Sequence, residues 1–432
     1  MATSNKQPAR TLPLLYLSAA HVSLALAFLF AGCWPRAVAG FFYHSWLLAL
    51  VHLITLGWIS LSIIGAFYIV APLALRARLA PRRLDYVAYG FALVGLIGMV
   101  GHFWIQEYGG MAWSAGTVAL GLFYMTVRIV GAVRDAAIQP AVKWHIVLAC
   151  VNFWVAASMG LLIAIDKVAH FLGGFVLANV FAHAHLAALG WATMMVIGVG
   201  YRMLPMTIPS KMPTGRSLYV SAVFLEIGVL GLFVTLLLRS PLTIVFGLTA
   251  IVGLAAFAVH VATMLRRPVP KPVGAHRIDF GLLHAAAAGV WLLAAIAIGL
   301  LLLVEPTSPQ MLRAAAAYGV FGLVGFLAQM VVAMEARLLP MVNWFWVYAA
   351  SDYRVAPPSP HAMRDRFLQA IVFIGWAAGV PSLAAGMFFE SATLVSVGAW
   401  PLFAAVVLAA IDNVFVVIPA RKCHVAENWP AA

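Results

Sequence analysis

Charge is scarce in this chain. Only 9% of its 432 residues are Asp, Glu, Lys or Arg, against about 25% in a soluble domain; 64% are hydrophobic and the mean hydropathy is +1.01. Acids are the scarcest charges, 13 against 26 Lys and Arg. Cysteine is scarcer still. Cys33, Cys150 and Cys423 lie far apart, which excludes a disulfide framework and a thiolate metal cluster. No Walker loop, dinucleotide fingerprint or c-type haem attachment motif occurs, and nothing suggests a serine or cysteine nucleophile. This composition excludes a water-soluble enzyme and a nucleic-acid-binding module.

What the chain has is long apolar runs. About 20 apolar residues cross the hydrocarbon core. Twelve segments reach that length, approximately 11–33, 44–75, 84–106, 111–133, 143–165, 172–206, 217–238, 242–264, 277–303, 312–340, 367–389 and 395–418. Charge and proline mark the breaks, as at Ala80-Pro81-Arg82-Arg83 and Arg266-Arg267-Pro268. Lys6 and Arg10 precede a first segment long enough to span, so no cleaved leader is expected. The predicted fold is all-α and integral to the membrane, a single transmembrane domain over 1–432 with lipid as its surroundings. Residues 341–366, rich in aromatics, proline and arginine, are expected at the interface. Only Arg36, Lys167, Arg239 and Arg313 fall on the side reached after odd-numbered segments. The other cations therefore place both termini in the cytoplasm, in a cell's inner (plasma) membrane.

The chain also repeats itself. The second segment carries His52-Leu-Ile-Thr-Leu-Gly57-Trp58, then Ile64-Gly65, Tyr68 and Pro72. The sixth carries His185-Leu-Ala-Ala-Leu-Gly190-Trp191, then Ile197-Gly198, Tyr201 and Pro205, each offset by 133 residues without a gap. In the tenth, Gly325-Phe326 and Arg337-Leu-Leu-Pro340 align with Gly190-Trp191 and Arg202-Met-Leu-Pro205 at an offset of 135, with Val320 in place of the histidine. Three units of four helices follow, approximately 11–135, 143–266 and 277–418. An even number of helices keeps the copies parallel, so a pseudo-threefold axis should run along the membrane normal, unlike the inverted repeats of many transporters.

Imidazole is uncommon inside a membrane and usually marks a functional path; it is also the commonest metal ligand. His52 and His185 each precede a proline by 20 residues, which puts both rings at one depth, about 30 Å from their prolines. Two such rings could clamp a single haem iron from opposite faces. The Gly-Trp after each histidine would give space for a flat group and then an aromatic wall. His183 lies about 200° round the helix from His185 and should face another flank, where a second haem or metal could lie. Each histidine can equally satisfy a buried carbonyl. His21, His44, His102, His145, His260 and His284 are expected in packing or at the interface. Among acids, Glu226 stands about nine residues into the seventh segment. It reads as part of a proton path or as the partner of an arginine such as Arg128 or Arg337.

At these residues the sequence resembles subunit I of the haem–copper oxidase superfamily, nearest the nitric-oxide reductases and the C-family cytochrome oxidases. Those proteins have twelve helices in three pseudo-symmetric groups of four. A low-spin haem histidine on their second helix stands in a context like His52…Trp58…Tyr68…Pro72. A His-x-His motif stands on their tenth, and His183-Ala-His185-Leu-Ala-Ala-Leu-Gly190-Trp191 on the sixth segment here is similar to it. The resemblance implies that His52 and His185 are the axial pair of a low-spin haem b and that His183 is the proximal ligand of a second haem. It also implies a cytochrome c-like or quinol electron donor and an accessory subunit. Copper is left open, because the family's copper triad draws on the seventh helix and the seventh segment here has no histidine. The expected function is a haem b-binding redox protein, electron transfer with NO or O2 reduction at a second site. The alternative is a haem-free multipass transporter or channel that uses these histidines for protons or metal ions.

Overall fold

The computed structural model describes residues 8–270, 278–305, 307–350, 352–354, 357 and 359–418. Lys6 and Cys423 lie outside the described residues. Among those described no β-strand forms, only an isolated bridge between Ser210 and Pro268. Twelve helices are long and apolar enough to cross a membrane. They are α1 Thr11–Cys33, α2 Ser45–Leu73, α3 Arg83–Ile105, α4 Tyr108–Arg134, α5 Pro140–Ala169 and α6 Val176–Thr207. The second half holds α7 Leu218–Leu237, α8 Thr243–Arg266, α9 Phe280–Val304, α10 Pro309–Ala350, α11 Arg366–Phe388 and α12 Ala392–Val417. A lipid-embedded chain must satisfy its backbone internally, and helices do so within one segment. Large apolar side chains such as Trp113, Leu293 and Ile374 face outward, as a lipid-contacting surface requires.

The core is built on α2, α6 and α10. Each has a proline in its last third, Pro72, Pro205 and Pro340, and each has a π-helical stretch near the middle: Leu53–Ser60, Leu186–Thr193 and Val320–Ala328. A π-turn replaces the i−4 bond with an i−5 bond. In two of the three a hydroxyl reinforces this: Ser60 Oγ donates to Thr55 O at 2.9 Å and Thr193 Oγ to Ala188 O at 2.8 Å, both five residues back. The stretches meet at the molecule's centre. Trp58 Nε1 donates to Ala328 O at 3.0 Å, and Trp191 Nε1 donates to Ser60 Oγ at 3.1 Å.

Around this core α3 pairs with α4, α7 with α8 and α11 with α12 as tight hairpins. Glycine permits the close approach. A Cβ on Gly228 would lie 2.5 Å from Ala250 N, and one on Gly398 2.5 Å from Leu383 N. The outer ring continues through contacts of α4 with α5 and α8 with α9, and α1 packs on α12.

The tenth helix runs ten residues past the expected end at 340, so the segment expected at the interface begins as helix. Proline removes one backbone donor and frees the carbonyl four residues back. Here that carbonyl, Ala336 O, accepts from Arg364 Nε at 3.0 Å, and Glu335 O accepts from Arg364 NH2 at 2.9 Å. A side chain from the next connection thus keeps the helix intact through Pro340.

Candidate functional site

A large cleft opens between α2 and α6, walled by α3, α4 and α5, with Leu323 and Leu327 of α10 behind. It spans about 1350 Å³, space open to its surroundings included, and its lining is overwhelmingly apolar.

Two of the sequence-selected histidines line it. His52 closes the α-helical part of α2 immediately before the π stretch, and His183 stands one turn before the π stretch of α6. His52 Nδ1 donates to Leu48 O at 2.7 Å, and its ring stacks on Phe103 of α3 at 5.3 Å and 23°. His183 Nδ1 donates to Ala156 O of α5 at 2.9 Å. A carbonyl can only accept, so Nδ1 carries the proton in both rings and Nε2 keeps its lone pair. Neither Nε2 has a hydrogen-bond partner among the described residues, and both residues line the one cleft. An Nδ1 anchored on a carbonyl with a free Nε2 leaves the ring oriented as a metal-ligating histidine needs to be. Gly160 of α5 makes room for the ring, since a Cβ there would meet His183 Cε1 at 2.8 Å.

His185 stands elsewhere. It is not in the cleft lining; it faces α10. Its Nδ1 donates to Phe181 O at 2.8 Å and its Nε2 accepts from Tyr318 OH at 3.1 Å, the rings stacked 5.8 Å apart at 21°. The pair brought together at the cleft is therefore His52 with His183, and the lone pair of His185 is already used. The glycines of the Gly-Trp motif also do something other than expected. Gly57, Gly190 and Gly325 face α1, α5 and α9, where a Cβ would meet Ser23 Cβ at 2.5 Å, Asn152 Cβ at 2.8 Å and Trp291 Cβ at 2.7 Å. They admit a neighbouring helix, not a flat ligand. Trp58 and Trp191 are buried as central struts, though Trp191 also forms part of the cleft wall.

Glu226 is outside the cleft and pairs with neither arginine considered for it. Asn152 Nδ2 donates to Glu226 Oε2 at 2.8 Å and, more weakly, to Gly190 O at 3.3 Å. Arg128 pairs with Asp85 at 3.3 Å and Arg337 with Asp279. Three other histidines have partners too: His145 meets Ser221 Oγ at 2.9 Å, His284 meets Gln329 at 3.0 Å, and His44 accepts from Leu47 N at the start of α2. Among the described residues no three or more His, Cys, Asp or Glu converge in a metal cluster.

Two features of the site escaped the sequence reading. Lys167 lines the cleft with Tyr43, its ammonium 4.8 Å above that ring and 5.1 Å above Tyr108. Its signal was present, because it is one of the four cations on the sparse side. Tyr318 is the other, standing 135 residues after His183, the offset at which the tenth segment aligns with the sixth. No protein-family model and no curated protein matches the chain.

Proposed function

We propose that this chain is a haem b-binding membrane redox protein of the haem–copper oxidase and nitric-oxide reductase kind. The observation that carries this reading is the pair of imidazoles, His52 and His183, on one large apolar cleft with both Nδ1 atoms anchored and both Nε2 atoms free. An apolar wall suits a porphyrin, and neutral imidazoles bring no charge into the membrane. His52 and His183 would hold the iron, and Lys167 at the rim would meet an anionic edge of the group. When bound, a bis-histidine haem supplies one-electron transfer. The chain's own contribution is the ligand pair, its fixed tautomers and the low dielectric that tunes the potential. Reduction of NO or O2 would need a second site, and His185 is the remaining histidine of the motif.

The finer architecture belongs to the same reading. The three π stretches at matching positions, the three hairpins and the 133-residue repeat support three parallel four-helix units about a pseudo-threefold axis. The cation distribution supports cytoplasmic termini in an inner (plasma) membrane. A cytochrome c-like or quinol donor and an accessory subunit would complete electron entry.

A reduced-minus-oxidised visible spectrum of the purified chain tests the proposal. Low-spin haem b bands are expected, lost in His52→Ala and in His183→Ala and retained in His185→Ala. Loss in His185→Ala with retention in His183→Ala would reverse the pairing. A colourless protein that takes up no added haem leaves the transporter or channel reading.

A further inference from the structure

A second cavity lies where α2, α6 and α10 converge. It spans about 590 Å³, space open to its surroundings included, and its lining is apolar except for Ser62 and Glu335. Ile59 and Leu327 line both this cavity and the histidine cleft, so the two adjoin. Glu335 is 4% exposed. Its Oε2 lies 3.3 Å from His21 Nε2 of α1 and accepts from Asn413 Nδ2 of α12 at 3.3 Å; its Oε1 has no hydrogen-bond partner. His21 Nδ1 donates to Leu17 O at 2.9 Å, its Nε2 is 3.1 Å from Asn413 Nδ2, and Trp58 of α2 meets the ring edge-on at 4.9 Å.

The charges around Glu335 are otherwise committed. Arg364, before α11, donates to Asp412 Oδ2 of α12 at 2.6 Å and to Asn413 Oδ1 at 2.8 Å. Arg337, two residues along α10, pairs with Asp279 and His361. The lining of the cavity from α2 and α6 contains no charged side chain. With Arg364 matched to Asp412, only His21 remains to balance Glu335. Unprotonated, the couple would leave a net negative charge inside the membrane, which is strongly disfavoured. One proton makes it neutral, as acid with imidazole or as carboxylate with imidazolium. Asp85 of α3, a buried carboxylate packed against α2, is surrounded differently: it accepts from Tyr68 OH at 2.7 Å and Tyr124 OH at 3.0 Å and is matched by Arg128.

We propose that Glu335 and His21 form a proton-binding site inside the membrane, holding one exchangeable proton at the wall of the three-helix cavity. The proton enters from water and returns to water, and no other bond is made or broken. The site stands apart from the haem reading and holds whether or not the cleft binds a porphyrin.

Infrared spectra of the full chain in lipid nanodiscs, titrated between about pH 5 and pH 9, read the site through the C=O stretch of a protonated carboxyl, which a carboxylate lacks. The expected band moves in heavy water, moves again when glutamate carboxyls carry heavy carbon, and fades as pH rises. It is lost in Glu335→Gln and kept in Glu226→Gln. In His21→Gln no imidazole remains to share the proton, so the band should be stronger at a given pH than in the unmodified protein. The isotope shifts are read on the unmodified protein and do not depend on any variant folding. A glutamic-acid band indifferent to pH and heavy water, or none in either the unmodified protein or His21→Gln, overturns the proposal.

Discussion

Gly160 offers the sharpest test of the His52–His183 pairing. A Cβ at this position would lie 2.8 Å from His183 Cε1, 3.4 Å from Nδ1 and 3.5 Å from Nε2. The added methyl meets a flat ring, not the far end of a flexible chain. The ring is also tethered, since its Nδ1 bonds to Ala156 O one turn earlier on the same helix. In Gly160→Ala the imidazole must tilt away from α5, which loosens a hydrogen bond worth about 0.5–1.5 kcal/mol. Disturbing the outer-shell partner of a ligand typically lowers metal affinity about 10–100-fold, equivalent to about 1.4–2.8 kcal/mol.

Titration of haem into the haem-depleted full chain should therefore give a Kd raised by about 10–100-fold in Gly160→Ala. Gly131→Ala on α4 is the control, because nothing lies within 4 Å of a Cβ there. It should bind as the native chain does and gain about 0.5–1 kcal/mol of helix stability. Thermal unfolding without haem separates a ligand effect from a general loss of fold. Unchanged haem affinity in Gly160→Ala, with the native chain clearly binding, would refute His183 as the second ligand.

Other substitutions probe the frame and the repeat. Arg364→Ala should unpair buried Asp412 and strip two carbonyls beside Pro340, costing about 3–5 kcal/mol in unfolding measurements, more than any exposed arginine. Trp191→Phe deletes the bond to Ser60 and Trp58→Phe the bond to Ala328; each should cost about 1 kcal/mol by thermal unfolding. Gly228→Val should drive α7 from α8 and lower the yield of folded protein, whereas Gly289→Val on α9 meets open space and should not. Tyr318→His would set an imidazole against His185, and calorimetric zinc titration should then find one site more than in the native chain.

The twelve spans were legible because apolar runs broken by Pro and Arg leave a membrane chain few choices. The end of α10 was not, since continuing a helix through Pro340 depends on Arg364, a residue 24 positions away that no local pattern connects to it. The π stretches were equally hidden. They alter which carbonyl each amide finds without altering composition, and only Ser60 and Thr193, with hydroxyls reaching five residues back, hint at them. The Gly-Trp glycines were visible as small residues, but a missing Cβ does not say whether a ligand or a helix fills the gap; at Gly190 it is Asn152 of α5. Glu335 went unread because its importance lies in what surrounds it: His21 and Asn413 come from opposite ends of the chain.

The pairing of the histidines turns on a point about rotation. Copies arranged head to tail about an axis present the same residue in the same rotational sense, so each copy's residue meets a different residue of its neighbour, not its own duplicate. In the proposed threefold arrangement the duplicated context makes His52 and His185 equivalent, and equivalent residues would not face each other. The contacts follow that logic. His52 shares its cleft with His183, and His185 meets Tyr318; the first members are 133 residues apart and the second members 135. The same offsets put Val320 at the position of His185 and Leu50 at that of His183, so a third junction of that proposed arrangement would have no polar pair to offer. A separation of two residues, about 200° round the helix, is thus what lets α6 serve two junctions at once: His183 turns back toward α2 while His185 turns on toward α10.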